Sequence, residues 1–290
     1  MAWMQLSFKS HCLRREVPLE ILLPADAEEG PRRGDFGYRT LYLLHGYGGN
    51  QSSYLLDAPV KALSEAYGLA VVLPAGENDF YLDREEDGAR CGEYIGRELI
   101  AFTRSLLPEL SHRREDTLIG GLSMGAYGAL LCGLRYPETF GHVIVNSTSL
   151  CGFFQESADE ASRLGRNRFR INRGFYELIF GPLDNIFESD RDPLVRVDEL
   201  LRRGAPVPDL FFSVGCNDTL CFALRALMPE LLRRGIPVEY REYPGTHEQA
   251  VFNRGLREAL ERLYGPVPPV RGSFWVDNEP LAPQGGISWR

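Results

Sequence analysis

Residues 116–132, Asp116-Thr117-Leu118-Ile119-Gly120-Gly121-Leu122-Ser123-Met124-Gly125-Ala126-Tyr127-Gly128-Ala129-Leu130-Leu131-Cys132, decide how this 290-residue chain folds. The first five read as a short buried strand, and the run from Ala126 reads as a helix. Between them stands Gly-x-Ser-x-Gly. Strand, sharp turn and helix together form the setting that lifts a serine onto a strained corner with its hydroxyl exposed. The glycines allow that corner without a Cβ clash. Ser123 is therefore the candidate nucleophile. A plain Gly-rich turn explains the pentapeptide alone, but not its flanks.

The same alternation extends in both directions. Residues 39–44 and 69–74 are near-continuous apolar runs, as strands covered on both faces of a parallel sheet should be. Residues 142–146, 210–215 and 238–243 read as further strands, and residues 19–24 as an early one stopped by Pro24. Helical spacing marks residues 59–67, 94–107 (Ile95, Leu99, Phe102, Leu106), 222–234 and 249–263. Residues 26–37 are charged and Gly-rich, a hairpin-like surface loop. Strands alternating with helices predict an α/β fold with a mostly parallel central sheet, helices on both faces and right-handed crossovers. One domain is expected over residues 1–264. Residues 148–208, rich in aromatics and turn formers, read as a small helical or irregular cap with Phe153, Phe154, Phe175 and Phe180 as pocket lining or plain core. Residues 265–290 form a Pro/Gly-rich extension, whose Phe274, Trp275 and Trp289 argue that parts of it dock.

Composition narrows the function. Lys plus Arg total 32 against 40 Asp plus Glu, a net charge of −8. Nucleic acid and anionic membrane surfaces both call for a basic face, so neither is expected as a partner. Residues 1–9 lack a basic start followed by an apolar stretch, and no run reaches membrane-spanning length, so a cytoplasmic protein is expected. Six cysteines without a Cys-x-x-Cys pair suit reduced, mostly buried thiols. No His or Cys cluster has ligand spacing, so no metal is expected.

A serine hydroxyl needs a general base, and the base needs an orienting acid. Enzymes built on this elbow carry them in the chain order serine, acid, histidine. His247, in Pro244-Gly245-Thr246-His247-Glu248, follows a strand and precedes a helix, and is the candidate base. His142 opens an apolar strand and reads as structural. Asp218, in Gly215-Cys216-Asn217-Asp218, follows the strand before, leaving room for one crossover, and is the candidate acid. Asp209 precedes that strand and belongs at the wrong edge; Asp190, Asp192 and Asp198 read as solvated. His45-Gly46-Tyr47-Gly48-Gly49 follows a buried strand, so the Tyr47 N–H and the Met124 N–H are the candidate oxyanion hole, with His45 and Gly46 in supporting roles. Ser147 and Ser149 lie past a strand end, near substrate or merely polar. Cys216 and Cys221 read as packing residues, Asp79, Tyr81, Asp83 and Arg90 as a solvated loop, and Glu93 and Glu98 as helix-face charges.

These motifs together resemble the esterase D-like, or "putative esterase", branch of the α/β-hydrolases, nearest to bacterial tributyrin esterases and acetylesterases. The likeness rests on residues 42–50, the Leu73-Pro74 strand end, residues 119–129, residues 215–218 and Gly245-Thr246-His247. Ala126 departs from the commoner Ser-Met-Gly-Gly pattern. The resemblance implies a serine carboxylesterase acting on short-chain, acetyl-type esters, on carbohydrate among others, through an acyl-enzyme on Ser123 and without a cofactor. The same branch includes S-formylglutathione hydrolases and acyltransferases, which are the alternatives. A catalytically silent hydrolase fold used for binding is a more distant one. The partner implied is a small-molecule ester, and the oligomeric state, homo-oligomer included, is left open.

Overall fold

The structure is a computed structural model that describes residues 1–26, 36–84, 88–150 and 173–266. Eight strands are seen among them: β1 (Ala2–Ser10), β2 (Arg15–Leu23), β3 (Arg39–Leu44), β4 (Leu69–Pro74), β5 (Thr117–Leu122), β6 (His142–Asn146), β7 (Asp209–Gly215) and β8 (Val238–Tyr243). They form one sheet in the order β1-β2-β4-β3-β5-β6-β7-β8. Every pairing from β4 through β8 is parallel, while β1–β2 and β2–β4 are antiparallel.

The described helices are α1 (Ser53–Asp57), α2 (Val60–Tyr67), α3 (Cys91–Glu93), α4 (Leu99–Leu106), α5 (Met124–Arg135), α6 (Arg173–Phe180), α7 (Pro193–Arg202), α8 (Cys221–Arg233) and α9 (Gln249–Tyr264). A single π-helical turn, Tyr94–Glu98, joins α3 to α4. The strands show why the central runs are apolar throughout. Side chains alternate between faces, and each face of this sheet is covered. Tyr42, Leu44, Ile119, Val143 and Val145 share a core with Leu99, Tyr127, Leu130 and Leu224 of the helices on one side. Leu41, Leu43, Leu118 and Ile144 pack with Tyr54, Leu63, Leu256 and Leu260 on the other. Each such side chain, fully buried, stabilises the fold by about 1.5–3 kcal/mol. The mostly parallel α/β sheet expected from the alternation is present, with helices on both faces.

Two features differ from the sequence reading. The N-terminal residues form β1, a strand whose exposure alternates residue by residue, with Met4, Leu6 and Phe8 leaning inward and Trp3, Gln5, Ser7 and Lys9 outward. Its antiparallel partner β2 begins at Arg15, well before the apolar run that marks its second half. Glu98 is more than a helix-face charge. Its carboxylate accepts from Ser10 Oγ at 2.5 Å, from His11 N–H at 2.6 Å and from Cys12 N–H at 3.4 Å, fastening the β1–β2 turn to the π turn. The loop at residues 27–35, Phe153, Phe154, Cys151 and the aromatics Phe274, Trp275 and Trp289 lie outside the described residues. Among the described residues, no helix is long and apolar enough to cross a membrane.

Candidate active site

Ser123 stands at the corner between β5 and α5 with φ +54° and ψ −117°. A left-handed φ on a residue bearing a Cβ costs about 1–3 kcal/mol and persists only where the surroundings enforce it. Here backbone packing enforces it. A Cβ on Gly121 would lie 2.4 Å from the Gly125 carbonyl, and a Cβ on Gly125 would lie 2.1 Å from Leu44 O and 2.6 Å from His45 O. The end of β3, the end of β5 and the first turn of α5 thus meet backbone to backbone. Ser123 N–H is tied to Asn146 O at 2.9 Å, and Ser123 O accepts from Tyr127 N–H at 3.1 Å. Gly125→Ala must push α5 off β3, so it is expected to cost about 3 kcal/mol. The urea midpoint reports this, and a midpoint equal to wild type would contradict the packing argument.

The carboxyl ends of the parallel strands bring the acid and base candidates together. Asp218 follows β7 and His247 follows β8, and Asp218 Oδ2 lies 2.7 Å from His247 Nδ1. Two backbone bonds align their loops, Cys216 N–H to Tyr243 O at 2.8 Å and Asn217 N–H to Gly245 O at 3.0 Å. The Asp218 carboxylate is wholly buried, whereas the His247 ring is about one-third exposed, 35%. Leu220 N–H donates to Asp218 Oδ1 at 2.9 Å. Burial alone would raise the Asp218 carboxyl. The His247 hydrogen bond and charge, the Leu220 N–H and the nearby Ser147 hydroxyl outweigh it and hold Asp218 below the usual carboxylate range. An ionised acid on Nδ1 leaves the far nitrogen of His247 as the one able to take a proton. The ring of Phe252 lies 5.0 Å from the imidazole, in a small apolar cluster that includes Leu122, the residue before Ser123.

Residues 45–49 follow β3 and are held from one neighbouring segment. His45 is buried. Gly76 N–H can only donate, so the 2.9 Å contact makes His45 Nε2 the acceptor and places the ring proton on Nδ1, 2.9 Å from Gly46 O. Asn78, which belongs to no motif, accepts from Gly48 N–H through Oδ1 at 2.7 Å. The Tyr47 ring meets Phe80 at 6.4 Å and Phe175 of α6 at 6.1 Å. Phe180 is buried against Phe80 and Tyr127, which is plain core. Met124 is the first residue of α5, where the leading N–H groups have no intrahelical acceptor.

Burial holds the His45 imidazole below its ordinary range, against the upward pull of the Gly46 and Gly76 carbonyls, the latter 3.1 Å from Nε2, and of the Asp79 and Glu77 charges. The unfolded chain therefore binds this proton first as pH falls. The stabilisation is complete above about pH 6.5 and is lost as pH drops through the folded value. Melting temperature between about pH 7.5 and pH 5.5 is expected to fall more steeply in wild type than in His45→Gln. Equal slopes would contradict it.

Other candidates take different places. Asp79 and Tyr81, expected in a solvated loop, are 3% and 1% exposed. Tyr81 OH donates to His45 O at 3.0 Å, and Tyr81 N–H donates to Asp79 Oδ1 at 3.0 Å. Asp83 accepts from Glu93 N–H at 3.0 Å and pairs with Arg135, while Arg90 pairs with Glu93. Asp192 is likewise not solvated: it is buried and caps α7 through Leu194 N–H at 2.9 Å. Asp190 pairs with Arg191 and Arg196, and Asp198 with Arg234. Cys216 is exposed rather than packed, whereas Cys221 is buried. Ser147 and Ser149 are buried, Ser147 beside the acid. His142 Nδ1 lies 2.9 Å from Asp209 at the opposite ends of their strands from the site. Among the described residues, no group of three or more His, Cys, Asp or Glu is placed to hold a metal ion.

Comparison with known proteins bears on the family and the fold. A family model described as "Putative esterase" matches residues 10–263. An acetyl esterase of Caldicellulosiruptor saccharolyticus is 37% identical over 264 residues, covering 90% of this chain and 97% of that protein. Among solved structures, the fluorophosphonate-binding serine hydrolase FphF of Staphylococcus aureus superposes with a TM-score of 0.76 at 22% identity, covering 91% of this chain and 99% of that one. The S-formylglutathione hydrolase FrmB of the same organism gives a TM-score of 0.73 at 22% identity, covering 91% and 98%.

Proposed function

This chain belongs to the esterase family whose model spans residues 10–263 and is a carboxylic ester hydrolase of the serine type; on that premise we propose which residues carry the reaction and which esters it takes. Ser123 Oγ attacks the ester carbonyl while His247 takes the hydroxyl proton. Asp218, held on Nδ1, fixes the tautomer and stabilises the imidazolium that forms. The oxyanion is received by the N–H groups of Tyr47 and Met124. Loss of one such donor typically costs about 10²–10³ in rate. His247 then passes its proton to the departing alkoxide, which leaves as the alcohol. Water, activated by the same imidazole, adds to the acyl-enzyme and releases the acid with Ser123 restored.

The observation that carries this reading is the 2.7 Å contact between a buried carboxylate and an imidazole at the same rim of the sheet as the strained serine. The 37% identical acetyl esterase supports short acyl groups, acetyl foremost, as the substrate class. A panel of p-nitrophenyl acetate, p-nitrophenyl butyrate, acetylated sugars, a feruloyl ester and S-formylglutathione tests it. The acetyl esters are expected to give the highest kcat/KM. A feruloyl ester or S-formylglutathione turned over about tenfold better would move the assignment to that substrate, since tenfold is about 1.4 kcal/mol of transition-state preference. Added acceptor alcohols that yield mainly transesterified product would make the enzyme an acyltransferase.

A further inference from the structure

We propose that Asn78 is a positioning residue for the oxyanion loop, acting through the hydrogen bond its amide oxygen accepts from Gly48 N–H; this rests on the reading of Tyr47 N–H as an oxyanion donor. Gly49 N–H bonds Gly46 O at 3.0 Å, closing a four-residue turn with Tyr47 and Gly48 at its centre. Gly48 has φ +80°, and Tyr47 is not among the residues of positive φ. That combination is a type II turn. Type I and type II turns share the closing bond and differ in the orientation of the central peptide, here the one joining Tyr47 to Gly48. The Gly46–Gly49 bond therefore does not choose between them. Glycine at position 48 makes both accessible at little cost, and a Cβ there would meet nothing within 4 Å, so packing does not choose either.

Asn78 Oδ1 does choose, because it lies 2.7 Å from the nitrogen of that central peptide. Turning the peptide over would point a carbonyl at the amide oxygen in place of an N–H. The bond thereby fixes the torsion after Tyr47 and ties the turn that carries the candidate oxyanion donor to the segment after β4. His45 does the corresponding work at the start of the loop through Gly76. Both anchors come from the segment that follows β4.

That segment is itself firmly set. Phe80 and Tyr81 are successive non-glycine residues in the left-handed region, at φ +57° and +61°. They are kept there by the Tyr81 bonds to His45 O and Asp79 and by the packing of Phe80 on Tyr47, Tyr127 and Phe180. The Asn78 side chain, in contrast, is exposed. Its hydrogen bond adds little to global stability, so loss of function and loss of fold separate cleanly.

The test compares Asn78→Ala, Asn78→Asp and Ser123→Ala with wild type on p-nitrophenyl acetate, alongside melting temperatures. In Asn78→Ala the donor survives but is no longer held. kcat is expected to fall about tenfold, less than the loss of an oxyanion donor, with KM and melting temperature near wild type. Asn78→Asp keeps an accepting oxygen at the same reach and is expected to recover most of that loss. An Asn78→Ala enzyme with kcat within about twofold of wild type overturns the proposal, and so does an Asp variant as slow as Ala. Undiminished turnover in Ser123→Ala would instead strike the esterase reading itself and remove the assignment that depends on it.

Discussion

Ser123→Ala is expected to lower kcat on p-nitrophenyl acetate by at least about 10⁴-fold, toward the 10⁶-fold loss seen when a triad serine is removed elsewhere. No acyl-enzyme forms without the hydroxyl, and what remains is a site that binds an ester and polarises its carbonyl. Such a site still exceeds water by about 10³–10⁴, so a small residual rate is part of the expectation. Labelling by a fluorophosphonate probe should vanish, because the serine oxygen is the atom the probe captures. The fold should not change, since Ala tolerates the corner no worse than Ser does and the Ser123 N–H and carbonyl bonds belong to the backbone. Turnover equal to wild type, or persistent labelling, would remove Ser123 from the reaction.

Asp218→Asn comes next, with an expected loss of about 10⁴-fold in kcat. The side chain is almost isosteric, so the buried site remains filled. What changes is the sense of the bond at 2.7 Å. A carboxylate only accepts, which keeps the proton on His247 Nδ1 and the other nitrogen basic. A carboxamide can present its NH₂ to Nδ1, which selects the opposite tautomer and leaves the serine without a base. It also removes the negative charge that stabilises the imidazolium. Leu220 N–H still needs an acceptor at this site, so the amide oxygen is drawn toward that N–H and the NH₂ toward the histidine. Activity within about tenfold of wild type would show that another group orients His247.

The fold was legible where the strands are covered on both faces. Residues 39–44, 69–74 and 142–146 coincide with β3, β4 and β6, and the half-buried edge strand β8 matches residues 238–243 through its alternation. β1 escaped notice because one of its faces meets solvent, and its alternation of Met4, Leu6 and Phe8 with Trp3, Gln5 and Ser7 sits beside polar residues that suit many conformations. The elbow, Asp218 and His247 were readable because each follows a strand by a few residues, and strand ends in a parallel sheet share a rim. Asn78, Asp79, Tyr81 and Glu98 were not readable. Their roles depend on which distant segment lies beside them: Gly48 for Asn78, His45 for Tyr81, and residues 10–12 for Glu98. A polar residue in a loop carries no local sign of that partner. Cys216 shows the converse error, a thiol assigned to packing that faces solvent.

The π turn at Tyr94–Glu98 holds the first hairpin through the Glu98 carboxylate and the Phe8–Tyr94 ring contact, whereas the proposed reacting groups follow β5, β7 and β8. A growing polypeptide can coil most of its helices early, since helical contacts are local, while sheet partners far apart along the polymer must wait for one another. Until the last strand has paired with β7 and α9 has packed on β6 and β7, the proposed hydroxyl, imidazole and carboxylate are strangers. On the proposed triad, an unfinished molecule lacks its base, and competence arrives with the final strand.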